Sequence, residues 1–403
     1  MGAKNVENSL RNKQDVVIVG GVGHVGLPLG LALADRGLNV ILYDTNSSLF
    51  SSIEQGKMPF LEQGAQSILK RVIHKRLWLS SDVTDVSKAK FVVVAVGTPV
   101  DDHLNPKLKV LFELFTTLKP YLNPNQIIII RSTVYPRTCT QLSKFLDRES
   151  QKWHIAYCPE RIAEGQAIKE LKLLPQLVAG LTERATAEAK SLFVSISPEV
   201  VTVTVEEAEL AKLFSNAWRY IQFAVANQFY MIANNFNVDF DNVRAAMVKG
   251  YGRAASLPTA GFAAGPCLLK DTLQLAAFNN NNFLLGHAAM MINEGLPDFI
   301  VEKLRQKYNL SKTKVGILGM TFKADVDDTR DSLSYKLGKI LCFYGAKVSY
   351  TDEYAKDPTF ISKEKLVKSS DVVIIGVPHG PYKGLRIPKN VEVINPWGLS
   401  FKQ

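Results

Sequence analysis

Short runs of apolar residues alternate with helix-like stretches in the first half of the chain. Residues 15–20 are apolar on both faces, which is typical of a buried parallel strand. A helix-like run from Leu27 to Arg36 and a second strand over residues 39–43 follow. Later runs repeat the strand pattern at 91–96, 126–130, 153–158 and 176–180. This alternation predicts an α/β domain built on a parallel sheet.

The middle of the chain has a helical period. Residues 205 to about 236 contain no Pro or Gly, and their apolar side chains recur at three- and four-residue steps. The positions that set this period are Leu210, Leu213, Phe214, Trp218, Ile221 and Val225. We predict one long helix that links domains and contacts another subunit. Helical periodicity returns in residues 267–308.

The C-terminal part repeats features of the N-terminal part. Residues 314–320 resemble the opening strand and turn, residues 371–378 parallel 91–99, and Asp352 follows a strand as Asp44 does. The expected fold is therefore α/β, with two Rossmann-like parallel-sheet domains joined by a central helical region with a long connecting helix. The predicted domains are 1–203, 204–310 and 311–403.

Composition narrows the possible functions. The 403 residues carry a formal net charge of +10, but Lys and Arg are spread along the chain, so nucleic acid is not an expected partner. No apolar run approaches the ~18 residues of a membrane span, and the N-terminus has no signal-peptide core. The four cysteines contain no C-x-x-C pair. We expect a cytoplasmic protein that needs neither a membrane nor a metal.

A glycine-rich turn joins the first strand to the first helix. Gly21, Gly23 and Gly26 have the Gly-x-Gly-x-x-Gly spacing. The first glycine permits a tight turn, the second lets a pyrophosphate approach the backbone, and the third lets helix and strand pack closely. Asp44, at the end of the second strand, is placed to accept hydrogen bonds from ribose hydroxyls and to repel a 2′-phosphate. These residues predict NAD as the cofactor.

Polar loops follow the next two strands of the predicted sheet. Thr98 and Pro99 lie in one, and Ser132 and Thr133 lie in the other. Loops at the carboxyl ends of parallel strands line the ligand crevice of open α/β sheets. We therefore expect these residues to contact a ligand.

The turn of the second predicted Rossmann-like domain lacks the glycine triplet. Phe322, Lys323 and Asp325 occupy it instead. A second dinucleotide is therefore not expected. A single nucleotide held by Lys323 and Arg330 is the predicted ligand of this domain.

One cysteine stands at a predicted helix start. Cys267 follows a Gly-Pro turn and precedes an apolar run, with Lys270 and Asp271 within one turn. The positive end of the helix dipole and a nearby ammonium favour a thiolate there. A thiolate beside a hydride acceptor suggests oxidation through a covalent thioester, whereas a buried packing role is the ordinary one for cysteine. The local sequence leaves both alternatives open.

Seven motifs, in order and over nearly the whole chain, resemble the UDP-glucose/GDP-mannose dehydrogenase family of nucleotide-sugar dehydrogenases. The motifs are Gly21-Val-Gly-His-Val-Gly-Leu-Pro28, Val96-Gly-Thr-Pro99, Ser132-Thr-Val134, Pro159-Glu-Arg-Ile-Ala-Glu-Gly165, Glu209-Leu-Ala-Lys-Leu-Phe-Ser-Asn216, Gly265-Pro-Cys-Leu-Leu-Lys-Asp271 and Phe322-Lys-Ala-Asp-Val-Asp-Asp-Thr-Arg330. The resemblance implies an oxidoreductase that converts the C6 hydroxyl of a UDP-sugar to a carboxylate with two NAD, for polysaccharide biosynthesis. It also implies a central dimerisation region and a UDP-binding domain, and hence a homodimer or higher homo-oligomer.

The resemblance also implies residue roles. Cys267 becomes the nucleophile, and Lys212 and Asn216, which share a helix face at four-residue spacing, stabilise the oxyanion. Asp271 lies near the cysteine, and Thr133 and Glu160 hold or deprotonate the hydrolytic water, so the choice of base stays open between Asp271 and Glu160. The expected cofactor-binding residues are Gly21, Gly23, His24, Val25, Gly26, Asp44, Thr98, Pro99, Ser132, Thr133, Lys270 and Arg330. The expected substrate-binding residues are Glu160, Arg161, Ile162, Glu164, Lys212, Asn216, Gly261, Phe262 and Lys323.

The sugar is the open question. Arg161 follows Glu160 where UDP-glucose enzymes commonly have Phe, and this Glu-Arg form resembles the branch that acts on UDP-N-acetylmannosamine or UDP-N-acetylglucosamine. UDP-glucose is the alternative substrate. Two other functions fit less well: the second Rossmann-like domain argues against a two-electron hydroxyacid dehydrogenase. Retention of Lys212, Asn216, Cys267 and Asp271 together argues against a non-catalytic nucleotide-sugar sensor.

Overall fold

The computed structural model describes residues 14–98, 100, 107–147 and 152–401. The chain forms two compact units, the first ending at Leu213 and the second beginning at Phe214. This division falls inside a single helix, Val205–Asn235, which has 31 residues. The long helix predicted from the apolar spacing is therefore present. The domain limits predicted from the sequence stay a prediction.

The first unit is built on an eight-stranded sheet with the order β3-β2-β1-β4-β5-β6-β7-β8. Its strands are β1 Gln14–Val19, β2 Val40–Tyr43, β3 Leu77–Ser80, β4 Ala89–Val94, β5 Ile127–Ile130, β6 His154–Tyr157, β7 Gln176–Gly180 and β8 Val200–Thr202. The pairs from β3 to β6 are parallel, and β6 pairs antiparallel with β7. The predicted Rossmann-like sheet is confirmed.

Helices cover both faces of this sheet. They are α1 Gly26–Asp35, α2 Phe50–Glu54, α3 Ala65–Val72, α4 Leu108–Leu118, α5 Thr138–Leu146, α6 Ala167–Leu171 and α7 Glu183–Val194. Alternate β1 residues enter different cores: Val16 and Ile18 pack with α1, whereas Val17 and Val19 pack with α4. Because both faces of β1 are buried, its last four residues, 16–19, are all apolar rather than alternating with polar ones.

The second unit begins with most of the long helix, α8 Val205–Asn235, followed by further helices. These are α9 Phe240–Val248, α10 Leu268–Phe278 and α11 Leu284–Lys307. Tyr220 and Ala224 of α8 pack with Ala289 of α11 in a small apolar core. No helix in the described part of the chain is long and apolar enough to cross a bilayer.

A second, four-stranded sheet closes the chain, with the order β10-β9-β11-β12 and all pairs parallel. Its elements are β9 Lys314–Leu318, α12 Leu333–Phe343, β10 Lys347–Thr351, α13 Lys363–Ser369, β11 Val372–Ile375 and β12 Glu392–Ile394. The sequence repeat therefore corresponds to a repeated strand-helix-strand fold, and the predicted second Rossmann-like sheet is confirmed.

Candidate active site

The glycine turn of the first unit has the close approaches that the fingerprint requires. A Cβ on Gly21 would lie 2.7 Å from the Leu42 Cα, and a Cβ on Gly26 would lie 2.2 Å from the Gly20 carbonyl oxygen. At Gly23 the nearest atom would be 3.7 Å away, which leaves space above the backbone. The first and third glycines are therefore needed for packing, and the second leaves room for a pyrophosphate.

Asp44 closes the same turn from the end of β2. Its carboxylate accepts hydrogen bonds from the Val22 N–H at 3.2 Å and the Asn46 N–H at 2.9 Å. Val25 is the N-cap residue of α1. An acid fixed beside the glycine turn at the tip of β2 matches the position of a ribose-binding carboxylate, so the residues present fit an NAD.

His24 joins the cofactor turn to the segment after β6. The His24 Nδ1 lies 2.7 Å from the Glu164 Oε1, and the His24 ring lies against the Phe60 ring with centroids 4.0 Å apart. The structure thus brings together one residue predicted to bind cofactor and one predicted to bind substrate.

Glu160 is 7% exposed and is held by a buried arginine. The Arg131 Nε donates to the Glu160 Oε2 at 3.0 Å, and the same guanidinium donates to the Cys158 carbonyl and to the Gln176 Oε1. The other carboxylate oxygen of Glu160 accepts from the backbone N–H groups of residues 161 and 162 at 2.7 and 3.0 Å. Both oxygens of Glu160 are therefore engaged. Arg131 was not predicted from the sequence, where its signal is a charged residue directly after four isoleucines.

The Arg161 side chain contacts the residue directly before β7. Its guanidinium donates to the Pro175 carbonyl, and burial lowers the pKa of the Arg161 side chain, partly offset by the charge of Glu160. Ile162 is partly buried and packs against the apolar core that contains α1.

The loops after β4 and β5 are tied together. The Thr98 Oγ1 donates to the Thr133 carbonyl at 2.8 Å, and the Ser132 Oγ donates to the Val96 carbonyl at 2.7 Å. Pro99 lies outside the described residues. The two loops predicted to line the crevice are thus adjacent at the carboxyl edge of the sheet.

Glu209, fully buried on α8, anchors the far end of the second loop. Its carboxylate accepts from the Arg137 N–H at 2.5 Å and the Cys139 N–H at 3.0 Å, where Arg137 has a left-handed φ of 71°. Burial raises the pKa of Glu209, while these hydrogen bonds oppose the shift.

Lys212 follows one turn later and is only 9% exposed, so it is not a solvated surface lysine.

Cys267 caps the N-terminus of α10 in the second unit. The Asp271 N–H donates to the Cys267 carbonyl at 2.9 Å, which is the first hydrogen bond of the helix. Cys267 is exposed, whereas Cys139 and Cys158 are buried and burial raises the pKa of both, to about 12 for Cys158. Of these three thiols, Cys267 alone is both accessible and at the positive end of a helix dipole.

Asp271 lies one turn along α10 and is 1% exposed. Its Oδ2 accepts a hydrogen bond from the Asn216 Nδ2 at 2.6 Å. Its Oδ1 accepts no hydrogen bond from the described residues and lies 3.4 Å from the Lys270 Nζ. The structure therefore brings Asn216, Lys270 and Asp271 together, with one carboxylate oxygen hydrogen-bonded to Asn216 and the other paired with the Lys270 ammonium.

A buried amide pair fixes the loop that leads to Cys267. The Asn227 side chain both accepts from the Gly261 N–H at 2.8 Å and donates to the Gly261 carbonyl at 3.0 Å. The Asn227 Nδ2 also donates to the Asn293 Oδ1 at 2.9 Å. A Cβ on Gly261, where φ is +147°, would lie 2.4 Å from the Trp397 ring. Gly261 was predicted as a site residue, but the two asparagines were not, because they look like ordinary polar helix residues in the sequence.

The remaining predicted residues of the second unit line its core or the turn after β9. Phe262 is 3% exposed and packs in the core beneath the second sheet. The Lys323 ammonium lies 5.6 Å from the centroid of the Phe322 ring. The Arg330 Nε donates to both oxygens of Asp328, at 2.8 and 3.1 Å.

Models of a single protein family match three consecutive parts of this chain. The NAD-binding domain of the UDP-glucose/GDP-mannose dehydrogenase family matches residues 14–197, its central domain matches 206–294, and its UDP-binding domain matches 316–402. The chain therefore belongs to the UDP-glucose/GDP-mannose dehydrogenase family, and it is an NAD-dependent UDP-sugar dehydrogenase.

Similar proteins extend over almost the whole chain. The UDP-N-acetyl-D-mannosamine dehydrogenase of Methanocaldococcus jannaschii is 29% identical over 91% of this chain and 86% of its own length. That of Pyrococcus horikoshii is 28% identical over 92% of this chain and 90% of its own length. The solved structure of the Pyrococcus horikoshii enzyme has a TM-score of 0.87 and covers 96% of this chain and 98% of its own. A UDP-glucose dehydrogenase from Pyrobaculum islandicum reaches the same TM-score at 23% identity, which shows the shared fold.

Proposed function

We propose that this protein oxidises the C6 hydroxyl of a UDP-N-acetylhexosamine to a carboxylate through a thioester on Cys267. The observation that carries the proposal is the exposed Cys267 thiol at the start of α10, one turn before the buried Asn216–Asp271 hydrogen bond. Bound NAD, held by the glycine turn and Asp44, supplies the hydride acceptor, and two are consumed per sugar.

In the covalent steps, the Cys267 sulfur forms and then breaks a bond to C6 of the sugar. Loss of a hydride and a proton from the C6 alcohol leaves an aldehyde. The Cys267 sulfur forms a bond to the aldehyde carbon, and the oxygen gains a proton to give a thiohemiacetal. Loss of a second hydride and proton gives the thioester. Water then adds to the thioester carbon, the C–S bond breaks, and the thiol and the carboxylic acid are released.

Lys212 and Asn216 stabilise the negative charge that develops on the C6 oxygen. Their four-residue spacing on α8 places them on one face of that helix. Both side chains are buried, at 9% and 7% exposure, and a fixed ammonium and amide are most effective where water is excluded. Asn216 is held in place by its hydrogen bond to Asp271.

Between the two carboxylates that the sequence left open, we assign Asp271 as the base for hydrolysis. Both oxygens of Glu160 already accept hydrogen bonds from Arg131 and from backbone N–H groups. The Asp271 Oδ1 accepts no hydrogen bond from the described residues and lies beside the Lys270 ammonium, so we assign it as the atom that receives a proton from water. Thr133 remains a proposed ligand of that water, and Glu160 becomes a positioning residue in this scheme.

The choice of an N-acetylhexosamine is supported by two observations. The Glu160-Arg161 pair is the form that resembles the N-acetylhexosamine branch. The similar proteins from Methanocaldococcus jannaschii and Pyrococcus horikoshii are UDP-N-acetyl-D-mannosamine dehydrogenases. A panel of UDP-N-acetylmannosamine, UDP-N-acetylglucosamine and UDP-glucose with NAD, followed at 340 nm, tests it. The proposal requires the highest kcat/KM for an N-acetylated sugar, and a preference for UDP-glucose would refute it.

The cysteine assignment has a matched control within the chain. Cys342 is also exposed, but it lies on α12, outside the proposed site. We expect Cys267→Ser to abolish steady-state NADH formation, and Cys342→Ser to keep activity within about twofold of wild type. Steady-state rates with both variants decide the point. Full activity of C267S would refute the thioester scheme.

We also propose that the protein is a homodimer formed through α8. Five apolar side chains of this helix, and Phe236 directly after it, are at least 39% exposed; the five are Phe214, Trp218, Val225, Phe229 and Ile232. At about 100° per residue the five fall within an arc of about 60°, along about 27 Å of helix. A continuous apolar stripe of this size is typical of a subunit contact. A second copy is the partner that the family's dimerisation region implies.

A further inference from the structure

A buried histidine connects the turn after β9 to the end of β10 in the C-terminal sheet. His379 is 0% exposed and lies shortly after β11. Its Nδ1 accepts a hydrogen bond from the Asp325 N–H at 3.0 Å, and its Nε2 lies 3.0 Å from the Asp352 Oδ2. The Tyr354 and Tyr382 rings pack on its ring at centroid distances of 5.0 and 5.3 Å. These hydrogen bonds and ring contacts fix the orientation of the His379 ring.

The two hydrogen bonds determine where the ring proton is. A nitrogen that accepts from a backbone N–H carries no proton, so Nδ1 is the acceptor and Nε2 carries the hydrogen. The Nε2–H donates to Asp352, and the Thr321 Oγ1 lies 3.2 Å from the same nitrogen. The Asp325 carboxylate, 3.8 Å from Nδ1, and Asp352 are the charged groups facing the ring.

The same groups hold both ends of a short loop. At its start, the Asp352 Oδ2 accepts from the Met320 N–H at 2.6 Å and the Thr321 N–H at 3.1 Å. At its end, Asp325 has a left-handed φ of 58°, and its Oδ1 accepts from the Gly380 N–H at 2.9 Å. In the middle, the Thr321 Oγ1 donates to the Lys323 carbonyl at 2.9 Å. Lys323 therefore stands on a loop that is fixed on both sides.

We propose that His379 is a positioning residue for nucleotide binding, because it holds the backbone of Asp325 and thereby places the Lys323 ammonium toward the diphosphate of the substrate. The inference rests on the proposed function, in which the second Rossmann-like sheet binds the UDP half of the sugar nucleotide. It goes beyond that function because a fully buried side chain, His379, is inferred to set the geometry of the binding loop.

Two variants separate the two hydrogen bonds of the ring. In His379→Asn the side-chain oxygen can replace Nδ1 as the acceptor for the Asp325 N–H, but the donor to Asp352 is lost. In His379→Gln the amide can replace Nε2 as the donor to Asp352, but the acceptor for Asp325 is lost. Both variants put one neutral amide in the same buried site, so general effects on stability are comparable.

Calorimetric titration of each full-length variant with UDP is the test, with NAD titration as the control. We expect UDP to bind H379Q about tenfold more weakly than wild type and H379N within about threefold, as for one lost hydrogen bond. The Kd for NAD should stay unchanged in both. Lys323→Gln is the reference for loss of the ammonium itself.

Equal UDP affinities for the two variants, or a parallel loss of NAD binding, would overturn the proposal. If H379Q does not fold, Thr321→Val removes the hydroxyl that donates to the Lys323 carbonyl and contacts the His379 Nε2, and it must also weaken UDP binding. Unchanged UDP affinity of T321V would then refute it. These titrations need no turnover, so failure of every UDP-sugar to yield NADH would count against the proposed function alone.

Discussion

Asp271 and Glu160 are both buried carboxylates, but their oxygens are used differently. Glu160 is saturated by Arg131 and two backbone N–H groups. Asp271 uses one oxygen to hold Asn216, and its other oxygen accepts no hydrogen bond from the described residues but lies 3.4 Å from the Lys270 ammonium. At the scale of single residues, this difference in partners is the basis for proposing different tasks for the two acids.

Replacement of Asp271 by Asn should block hydrolysis more than oxidation. The amide keeps the shape of the side chain but cannot take a proton from water. We expect kcat to fall by about 10²- to 10⁴-fold, with a rapid burst of NADH before the slow steady state. Stopped-flow absorbance at 340 nm measures both phases. A D271N enzyme with wild-type kcat would exclude Asp271 as the base.

Replacement of Glu160 by Gln should act mainly on stability. It leaves the buried Arg131 guanidinium without its carboxylate, which costs about 3 kcal/mol in the free energy of unfolding. Denaturant unfolding of E160Q against wild type measures this loss. If E160Q unfolds with the wild-type free energy but shows a burst of NADH, Glu160 has the hydrolytic role.

Asp352 makes the stability of the second unit depend on pH in the acid range. Burial raises the pKa of this carboxyl, but the His379 hydrogen bond and the Ala355 and Met320 N–H donors outweigh it and lower the pKa to about 2. A lowered pKa stabilises the fold above the unfolded value of 3.8, and the stabilisation is lost as the pH falls toward 2.

The difference in unfolding free energy between wild type and Asp352→Asn should therefore shrink by about 2 kcal/mol from pH 5 to pH 2. Urea unfolding at a series of pH values, followed by tryptophan fluorescence, provides the measurement. A difference that does not change with pH would show that the Asp352 carboxylate is not held in its charged form by these donors.

At the scale of elements, α8 has two apolar sides with different uses. Leu213, Ala217, Tyr220 and Ala224 are buried, whereas the stripe from Phe214 to Ile232 is exposed. A helix that only had to cover its own core would carry polar residues on the second side. The exposed stripe therefore accounts for why this helix is so apolar in sequence.

A charge placed in the stripe should separate the subunits. We expect Trp218→Glu to weaken dimerisation on the order of 100-fold or more, because an aromatic side chain is replaced by a charge that must be desolvated. Val194, which is 55% exposed on α7 of the first unit, offers a matched apolar control. Light scattering coupled to size exclusion should give a monomer for W218E and a dimer for V194E. A W218E dimer as stable as wild type would refute the interface.

The elements were more predictable from the sequence than the contacts at the site. The strands around residues 15–20, 91–96 and 126–130 and the helix at 205–236 were predicted within about two residues, because their periods are set by burial of whole faces. β3 and β8 were not predicted, since Leu77–Ser80 and Val200–Thr202 are too short to show a period. Arg131, Asn227 and His379 were missed because their roles depend on partners distant in sequence.

At the scale of the whole molecule, one strand-helix-strand scheme occurs twice with different turns. In the first sheet the turn is glycine-rich and Asp44 stands beside it. In the second sheet Asp352 has the equivalent position, but its carboxylate is occupied by the turn backbone and by His379. The first turn therefore suits NAD, and we propose that the second binds a nucleotide through Lys323.

The central claim is a four-electron oxidation in which Cys267 carries the intermediate. The most direct test is the amount of NADH formed from a limiting, known amount of UDP-N-acetylhexosamine in the presence of excess NAD. The account predicts two NADH per sugar, with the uronic acid as the only sugar product. One NADH per sugar, with an aldehyde as the product, would contradict it.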